Sequence, residues 1–471
     1  MQQRPYCVTL VFSLAVASVC QAQPATEPKK VISFSGPPNA RVFHDNVVEM
    51  ERLMPVVDGV TLYPVTDNGG VVTEALGRLF RPDFHRLGDF NSGIDLMIGA
   101  NHSLYRDNFL LVYLTTGLVD LEVPDWLDPE FDAVINNWKV AAEYAKNAGM
   151  RGLLLDDEVY YGRSLWTYHR LKYTSTTTAD EYYDRVFERG AQIMRAVNTV
   201  YPDIEILTLH GPTHASLGGG RRLTNRYEMM RAFFDGLLSE ATGDAAIIDG
   251  SERTYGYREA SQFEGAANTF RRARNHSQVP VQFDRHAQVA FPIFLGSTGF
   301  STEDIGDNYY SPAELTTALR GALEHTDKYV WIYTESVSLW DRPGLTFLPA
   351  AYRDAMLAAH DPAANIPTAI RESPSTGVPQ RQVLEQNFPN PFNSGTVIRF
   401  TLGKPQHVEL SIYNLAGQRL TTLLHGTRSA GTHTVHWDSR DDHSLDLASG
   451  AYLYRLRADE WQETRRLVLV R

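Results

Sequence analysis

The sequence predicts an α/β protein: a (β/α)8 barrel followed by a small all-β domain. From Lys30 to about Ala359, short apolar runs alternate with longer amphipathic runs, as in repeated strand–helix units. Most of the short runs are continuously apolar, which is typical of parallel strands buried on both faces. Beyond about residue 380 the apolar residues recur at every second position, which indicates strands with one solvated face.

The barrel prediction depends on eight candidate strands and on the helical stretches between them. The strands are residues 31–35, 59–64, 109–114, 152–156, 204–209, 245–249, 289–295 and 329–334. Helices are expected over residues 131–148 and 179–200, among others, because their apolar residues recur at helical spacing. Eight such units favour a closed TIM barrel over an open sheet, and no glycine-rich phosphate loop follows the first strand.

Length, composition and charge limit the possible functions. The chain has 471 residues, of which 43% are hydrophobic and 21% charged, as expected for a globular protein with a large core. Its formal net charge is −12, and no basic stretch occurs, so nucleic acid and anionic membranes are not expected partners. No stretch beyond residue 22 is long and apolar enough to predict a membrane span.

Residues 1–22 have the pattern of an export signal. Arg4 supplies a positive charge, an apolar run follows, and small residues suit cleavage before Gln23. The alternative is a lipoprotein signal at Cys20, although Val19 is bulky for that motif. Cys7 and Cys20 are the two cysteines of the chain, so cleavage before Gln23 would leave a mature protein without thiols or disulfides.

A predicted linker divides the rest of the chain. Residues 361–383 are rich in Pro, Ser, Thr and Ala and poor in core residues. The linker separates the predicted barrel, residues 23–360, from a C-terminal domain, residues 384–471. Six or seven short alternating segments with Gly- and Asp-containing turns predict an immunoglobulin-like β-sandwich for this last part.

The C-terminal domain carries several motifs in a characteristic order. They read LEQNFPNPFNSGTVIRFTL, SIYNLAGQRL, AGTHTVHWD, ASGAYLYRL and ETRRLVLVR. This segment resembles the sorting domain of type IX secretion cargo. The resemblance implies passage through the periplasm and outer membrane by the type IX secretion machinery, to the medium or the cell surface. A carbohydrate-binding sandwich is the alternative, with Trp437 and Trp461 as its candidate aromatics.

Three consecutive carboxylates follow the fourth strand, in the run GLLLDDEVYYG. TIM-barrel active sites lie at the C-terminal ends of the strands. Extended backbone would place Asp156 and Glu158 on one side of the strand and Asp157 on the other. Such a pair can protonate a leaving oxygen and stabilise a cationic transition state. The alternatives are an acidic cluster at a helix N-terminus and a calcium site.

Further candidates follow other strands. Glu252 follows the sixth strand and Glu335 the eighth, so we expect both to join Glu158 and Asp156 in catalysis. The expected substrate contacts are Tyr160, Trp166, His210, Asp249, Tyr255, Trp331, Tyr333 and Trp340. Taken singly, each aromatic is explained better by core packing or by a structural place at the rim than by contact with a sugar. Their grouping with carboxylates at several strand ends favours a sugar site.

The barrel resembles glycoside hydrolases, and in particular the family 18 motif G-x-D-x-D-x-E. Asp156 and Glu158 match the last two acidic positions of that motif, whereas Leu154 replaces its first aspartate. We expect a secreted hydrolase, retaining or inverting, that acts on a polysaccharide or oligosaccharide, with Glu158 as general acid/base and Glu252 as nucleophile or base. No cofactor or metal is expected. The alternatives are another barrel enzyme, such as a metal-dependent hydrolase, and a non-catalytic carbohydrate-binding or cell-surface protein.

Overall fold

The computed structural model describes most of the barrel and of the C-terminal domain. The described residues are 28–35, 38–65, 79–114, 123–158, 165–216, 229–296, 308–334, 337–339, 346–360 and 382–470, the last range with gaps at 385, 388–389, 391, 393–395, 443–445 and 460. Within these ranges, no helix is both long and apolar enough to cross a membrane. The predicted export signal and most of the predicted linker lie outside the described residues.

The first domain is a TIM barrel, as the alternating pattern predicts. Its strands are β1 (Lys30–Ser35), β2 (Gly59–Leu62), β3 (Phe109–Tyr113), β4 (Gly152–Asp156), β5 (Glu205–Thr208), β6 (Ala246–Asp249), β7 (Ala287–Val289), β8 (Phe291–Gly296) and β9 (Tyr329–Thr334). They form one parallel sheet in the order β7-β6-β5-β4-β3-β2-β1-β9-β8. A short parallel pair, β10 (Val337–Ser338) with β11 (Thr346–Phe347), follows β9.

The expected seventh strand is two strands in the structure. β7 pairs with β6, and β8 pairs with β9. Ala290 alone separates them, and its backbone N–H donates to the Asp249 carbonyl at 2.7 Å. The chain changes partner at this residue, so the stretch from β7 to β8 joins the two ends of the sheet and closes the barrel.

Helices surround the strands and bury their apolar faces against them. They are α1 (Ala40–Leu53), α2 (Asn91–Gly99), α3 (Phe131–Asn147), α4 (Ala179–Asn198), α5 (Gly211–Ser216), α6 (Met230–Glu240), α7 (Ala260–Ala273), α8 (Pro280–His286), α9 (Pro312–His325) and α10 (Ala350–His360). Strong N-terminal caps explain where some begin. Thr178 caps α4 in a capping box with Glu181, and Ser311 caps α9 in the same way with Glu314.

The barrel interior is packed with side chains and is not a channel. Buried residues from the strands, including Ile32, Leu111, Leu154, Leu207 and Ile248, form its core. At the N-terminal end of the barrel, the Tyr329 hydroxyl bonds Glu205 and Asp107. TIM barrels carry their sites at the opposite end, where the strands have their C-terminal ends.

The C-terminal domain is an antiparallel sandwich. Its strands are β12 (Val383–Leu384), β13 (Thr396–Leu402), β14 (Gln406–Tyr413), β15 (Arg419–Arg428), β16 (Gly431–Trp437), β17 (Gly450–Ala458) and β18 (Trp461–Leu469). They form a sheet β12-β13-β16 and a sheet β15-β14-β17-β18. Trp437 is 2% exposed and bonds the Arg440 carbonyl, so this ring belongs to the core and offers no face to a sugar.

Candidate active site

Three side chains from neighbouring strands meet at the C-terminal end of the barrel. Glu158 follows β4, His210 follows β5, and Glu252 follows β6. One carboxylate or imidazole ligand atom from each residue lies within 4.8 Å of the other two. Parallel strands end at the same rim, which explains why residues almost a hundred positions apart come together. We call Glu158, His210 and Glu252 the rim triad.

Glu158 is positioned by Asp156, the last residue of β4. The Asp156 carboxylate accepts the backbone N–H of Glu158 at 3.1 Å, so the chain turns tightly as the strand ends. Asp156 and Glu158 are only 3% and 5% exposed. Burial first, and then the negative charges of Glu158 and Glu252, raise the pKa of Asp156 well above its usual value.

Asp157 points to the neighbouring strand end and orients His210. Its fully buried carboxylate contacts His210 Nδ1 at 2.9 Å and accepts the backbone N–H groups of His210 and Gly211. Since Nδ1 is engaged by Asp157, Nε2 faces Glu252, 3.3 Å from its Oε2. Burial acts to lower the pKa of His210, but the charges of Asp157 and Glu252 outweigh it and raise this pKa to about 10. The carboxylates around His210 therefore favour its imidazolium form.

The loop after β6 is shaped to present Glu252. Ser251 has a left-handed backbone, with φ of 50°, which is a strained conformation for a residue other than glycine. Asp249 supports this turn by accepting both the N–H and the hydroxyl of Ser251 at 2.9 Å, and it also accepts the N–H of Thr213 at 2.7 Å. Asp249 is fully buried by these partners, so it holds the loop in place and has no free surface for the substrate contact we expected.

Glu252 is the most accessible member of the rim triad, with 17% of its side chain exposed. Its neighbours set its proton affinity. Burial and the nearby charge of Glu158 raise the pKa of Glu252 to about 8, while His210 acts in the opposite direction. The Tyr255 hydroxyl also hydrogen-bonds Glu252. At neutral pH this carboxyl therefore carries a proton, which is the state needed for a general acid.

Aromatic rings form the floor beneath the rim triad. Tyr255 stacks on Tyr333 with ring centroids 6.0 Å apart, and Tyr333 also lies 5.2 Å from Phe34. Trp331 is deeper and fully buried, and its Nε1 donates to the Gly250 carbonyl at 2.9 Å. Tyr255 and Tyr333 line the floor, whereas Trp331 supports it from below and does not reach solvent.

The remaining predicted contacts are placed differently or lie outside the described residues. Trp166 is fully buried among Trp126 and Phe233, between the strands and the helices, and its Nε1 donates to the Asp157 carbonyl. It is a core residue, which corrects the expectation that it contacts sugar. The other three expected site residues, Glu335, Tyr160 and Trp340, lie outside the described residues.

Two features of the site were missed by the sequence analysis. One is the role of Asp157. The alternation of side chains along an extended strand placed it on the side of β4 away from Glu158, and in the structure it orients His210. The other is a pair of rim tyrosines, Tyr63 and Tyr113, whose hydroxyls are 2.8 Å apart beyond β2 and at the end of β3. No motif marks these residues. Their position at strand ends was the one available signal.

Comparisons with known proteins give limited similarity. The family model of the FlgD Ig-like domain matches residues 390–461, within the sandwich. Among curated proteins, none matches the chain. The chain is similar in structure to the endo-β-1,4-mannanase of Thermotoga petrophila, at 9% identity and a TM-score of 0.40 over 94% of this chain and 97% of that one.

Two further solved structures are similar in part. A glucosidase from Croceicoccus marinus gives 11% identity and a TM-score of 0.40 over 88% of this chain and 94% of that one. The dimeric latent PorU of Porphyromonas gingivalis gives 20% identity and a TM-score of 0.17 over 19% of this chain. This last match covers only 9% of the PorU chain. At these TM-scores the similarities carry no argument about activity.

Proposed function

We propose that this protein is a secreted glycoside hydrolase that cleaves an extracellular polysaccharide or oligosaccharide with retention of configuration. The proposal is supported above all by the closeness of Glu158 and Glu252: one carboxylate oxygen of Glu158 lies within 4.8 Å of one carboxylate oxygen of Glu252 at one barrel rim. Retaining glycosidases place their two carboxyl groups about 5–5.5 Å apart, whereas inverting ones need about 6.5–9.5 Å to admit a water molecule.

The raised pKa of Glu252 supports catalytic roles for Glu158 and Glu252 that are the opposite of those expected from the sequence. Glu252, with its pKa raised to about 8, is the proton donor, and Glu158 is the nucleophile. In the first step Glu158 attacks the anomeric carbon, the glycosidic C–O bond breaks, and the Glu252 proton passes to the leaving oxygen. In the second step Glu252 takes a proton from water, and the resulting hydroxide displaces Glu158 from the sugar.

The positive charge of His210 would stabilise Glu252 after Glu252 has given up its proton. Once Glu252 has given up its proton, it is an anion 3.3 Å from the His210 imidazolium. The ion pair stabilises the product of the proton transfer, and Asp157 keeps the imidazole charged and oriented. Tyr255 and Tyr333 supply aromatic faces of the kind on which sugar rings stack.

A metal-dependent hydrolase is the second candidate, favoured by the same grouping of two carboxylates and an imidazole. A metal ion would have to displace the proton from His210 Nε2, so its binding at this site would release a proton and weaken as the pH falls. Inactivation by a chelator, with recovery on adding a divalent metal, would support the metal hydrolase over the glycosidase.

The glycosidase proposal predicts activity in a panel of polysaccharides and oligosaccharides assayed with the mature chain. The first-formed product should keep the anomeric configuration of the substrate, as followed by NMR of the reducing end. Inversion would contradict the two-step mechanism. Binding to a sugar without any hydrolysis would instead favour the alternative, a non-catalytic carbohydrate-binding or surface protein.

The pH dependence of this activity follows from Glu252. Since the proton on Glu252 is lost as the pH rises through about 8, kcat/KM should fall above that pH. A substrate whose leaving group needs no protonation is the matched control, because its cleavage should lack this alkaline limb. Equal alkaline limbs for both substrates would remove Glu252 from the role of acid.

Export by the type IX machinery is the second part of the proposal. It is supported by the ordered C-terminal motifs and by the sandwich fold that they adopt. The destination would be the medium or the cell surface, where a polysaccharide substrate is available.

A further inference from the structure

Two histidines face each other on the exposed side of the C-terminal sandwich. His407 lies on β14 and His425 on the neighbouring β15. Their Nε2 atoms are 3.3 Å apart, and their rings are nearly perpendicular, with centroids 4.7 Å apart and an interplanar angle of 79°. This pair is far from the rim triad in the chain and belongs to a separate domain.

The strand register accounts for this placement. His407 is paired with Thr427, and Glu409 is paired with His425, so the two histidines are diagonal neighbours on one face. Alternate residues on β14, such as Val408 and Leu410, are fully buried in the sandwich core. The histidine face is therefore the solvated one, and water can reach both imidazoles.

The distance between the two nitrogens is the distance between two ligands of one metal ion. Zinc binds imidazole nitrogen at about 2.0–2.1 Å in tetrahedral geometry, which sets two such nitrogens about 3.3–3.4 Å apart. Without a metal ion, two Nε2 atoms this close must form an N–H···N hydrogen bond, in which only one of them carries a proton. Little rearrangement is needed to exchange that proton for a cation.

The surrounding charges are mixed but include nearby carboxylates. Glu409 lies directly across from His425. The backbone N–H of Asp459 donates to the His407 carbonyl, which places this acidic residue beside His407. Arg457 pairs with Glu409 from the opposite strand, and Arg428 lies near the strand end, so a bound ion also meets positive charge.

We propose that His407 and His425 form a binding site for a divalent transition metal ion of the Zn²⁺ or Cu²⁺ class. Imidazole suits these ions, and the exposed face leaves the remaining coordination positions to water or to Glu409. The ion would tie β14 to β15. This site is independent of the proposed glycosidase activity.

The test is equilibrium binding of Zn²⁺ to the full mature chain near neutral pH, comparing the wild type with His407→Asn and His425→Asn. Each substitution should weaken this site by at least about tenfold, since even the loss of an outer-shell partner weakens metal sites by about 10–100-fold. The double variant should bind only slightly more weakly than either single variant, because most of the chelate's affinity is lost with the first ligand. His276→Asn, at an exposed histidine in the barrel, is the matched control and should leave binding unchanged.

A second readout uses Cu²⁺ and electron paramagnetic resonance. The wild type should show two coordinated nitrogens, and each single variant at most one. Unchanged Zn²⁺ binding in both single variants would overturn the proposal. So would independent, additive losses in the double variant, since they would indicate separate single-histidine contacts.

Discussion

Replacing Glu158 by Gln is expected to lower kcat/KM by about 10⁴- to 10⁶-fold, the loss seen when a covalent nucleophile is removed from a hydrolase. Glutamine keeps the size of the side chain but cannot attack the anomeric carbon. Glu252→Gln should cost about 10²- to 10⁴-fold, as general acids do. Steady-state kinetics on the best substrate of the panel measures both. Glu264→Gln, at an exposed glutamate on α7, is the control and should leave the rate unchanged.

Rescue of the two variants by azide distinguishes the acid/base from the nucleophile. In Glu252→Gln, azide can replace water in the second step without help from a base, so the rate should recover and the glycosyl azide should keep the substrate's configuration. In Glu158→Gln, azide can take the place of the nucleophile and should give the inverted product. If the two products were exchanged between the variants, Glu158 would be the acid/base and Glu252 the nucleophile. Full activity in both variants would remove the pair from catalysis.

Much of the barrel could be predicted because its strands are strongly apolar and its helices strongly periodic. β4 and β9 begin and end where the sequence predicts. The seventh strand was predicted less well, since its apolar run continues through Ala290 while its hydrogen-bonding partner changes there. A change of partner is a property of barrel closure, and no local pattern encodes it.

The site could be predicted only in part, for a related reason. Two general properties identify Asp156, Glu158 and Glu252 from the sequence. Side chains alternate along a strand, and TIM-barrel sites lie at the C-terminal ends of the strands. The contact between Asp157 and His210 depends on the adjacency of β4 and β5, which residue spacing does not reveal. The proton on Glu252 depends on burial and on the proximity of Glu158. Both are consequences of tertiary structure, and the second is the basis for the proposed exchange of roles between Glu158 and Glu252.

Trp331→Ala is expected to lower the free energy of unfolding of the barrel by about 3–5 kcal/mol, the usual cost of removing a large aromatic side chain from a core. The indole is fully buried and lies against Phe34 and Tyr255, with ring centroids 6.0 and 5.5 Å away. Urea unfolding, followed by tryptophan fluorescence and circular dichroism, measures the change.

Trp331→Phe tests whether Trp331 supports the loop after β6, which carries Glu252. Phenylalanine keeps part of the packing but loses the Nε1 bond to the Gly250 carbonyl, two residues before Glu252. The matched control is Trp138→Phe on α3, where the buried indole N–H has no hydrogen-bond partner among the described residues. If the Gly250 bond positions Glu252, Trp331→Phe should lower kcat well beyond its effect on stability, whereas Trp138→Phe should affect stability alone. Equal kcat values in the two variants would mean that the left-handed Ser251 turn and Asp249 hold Glu252 without help from the barrel interior.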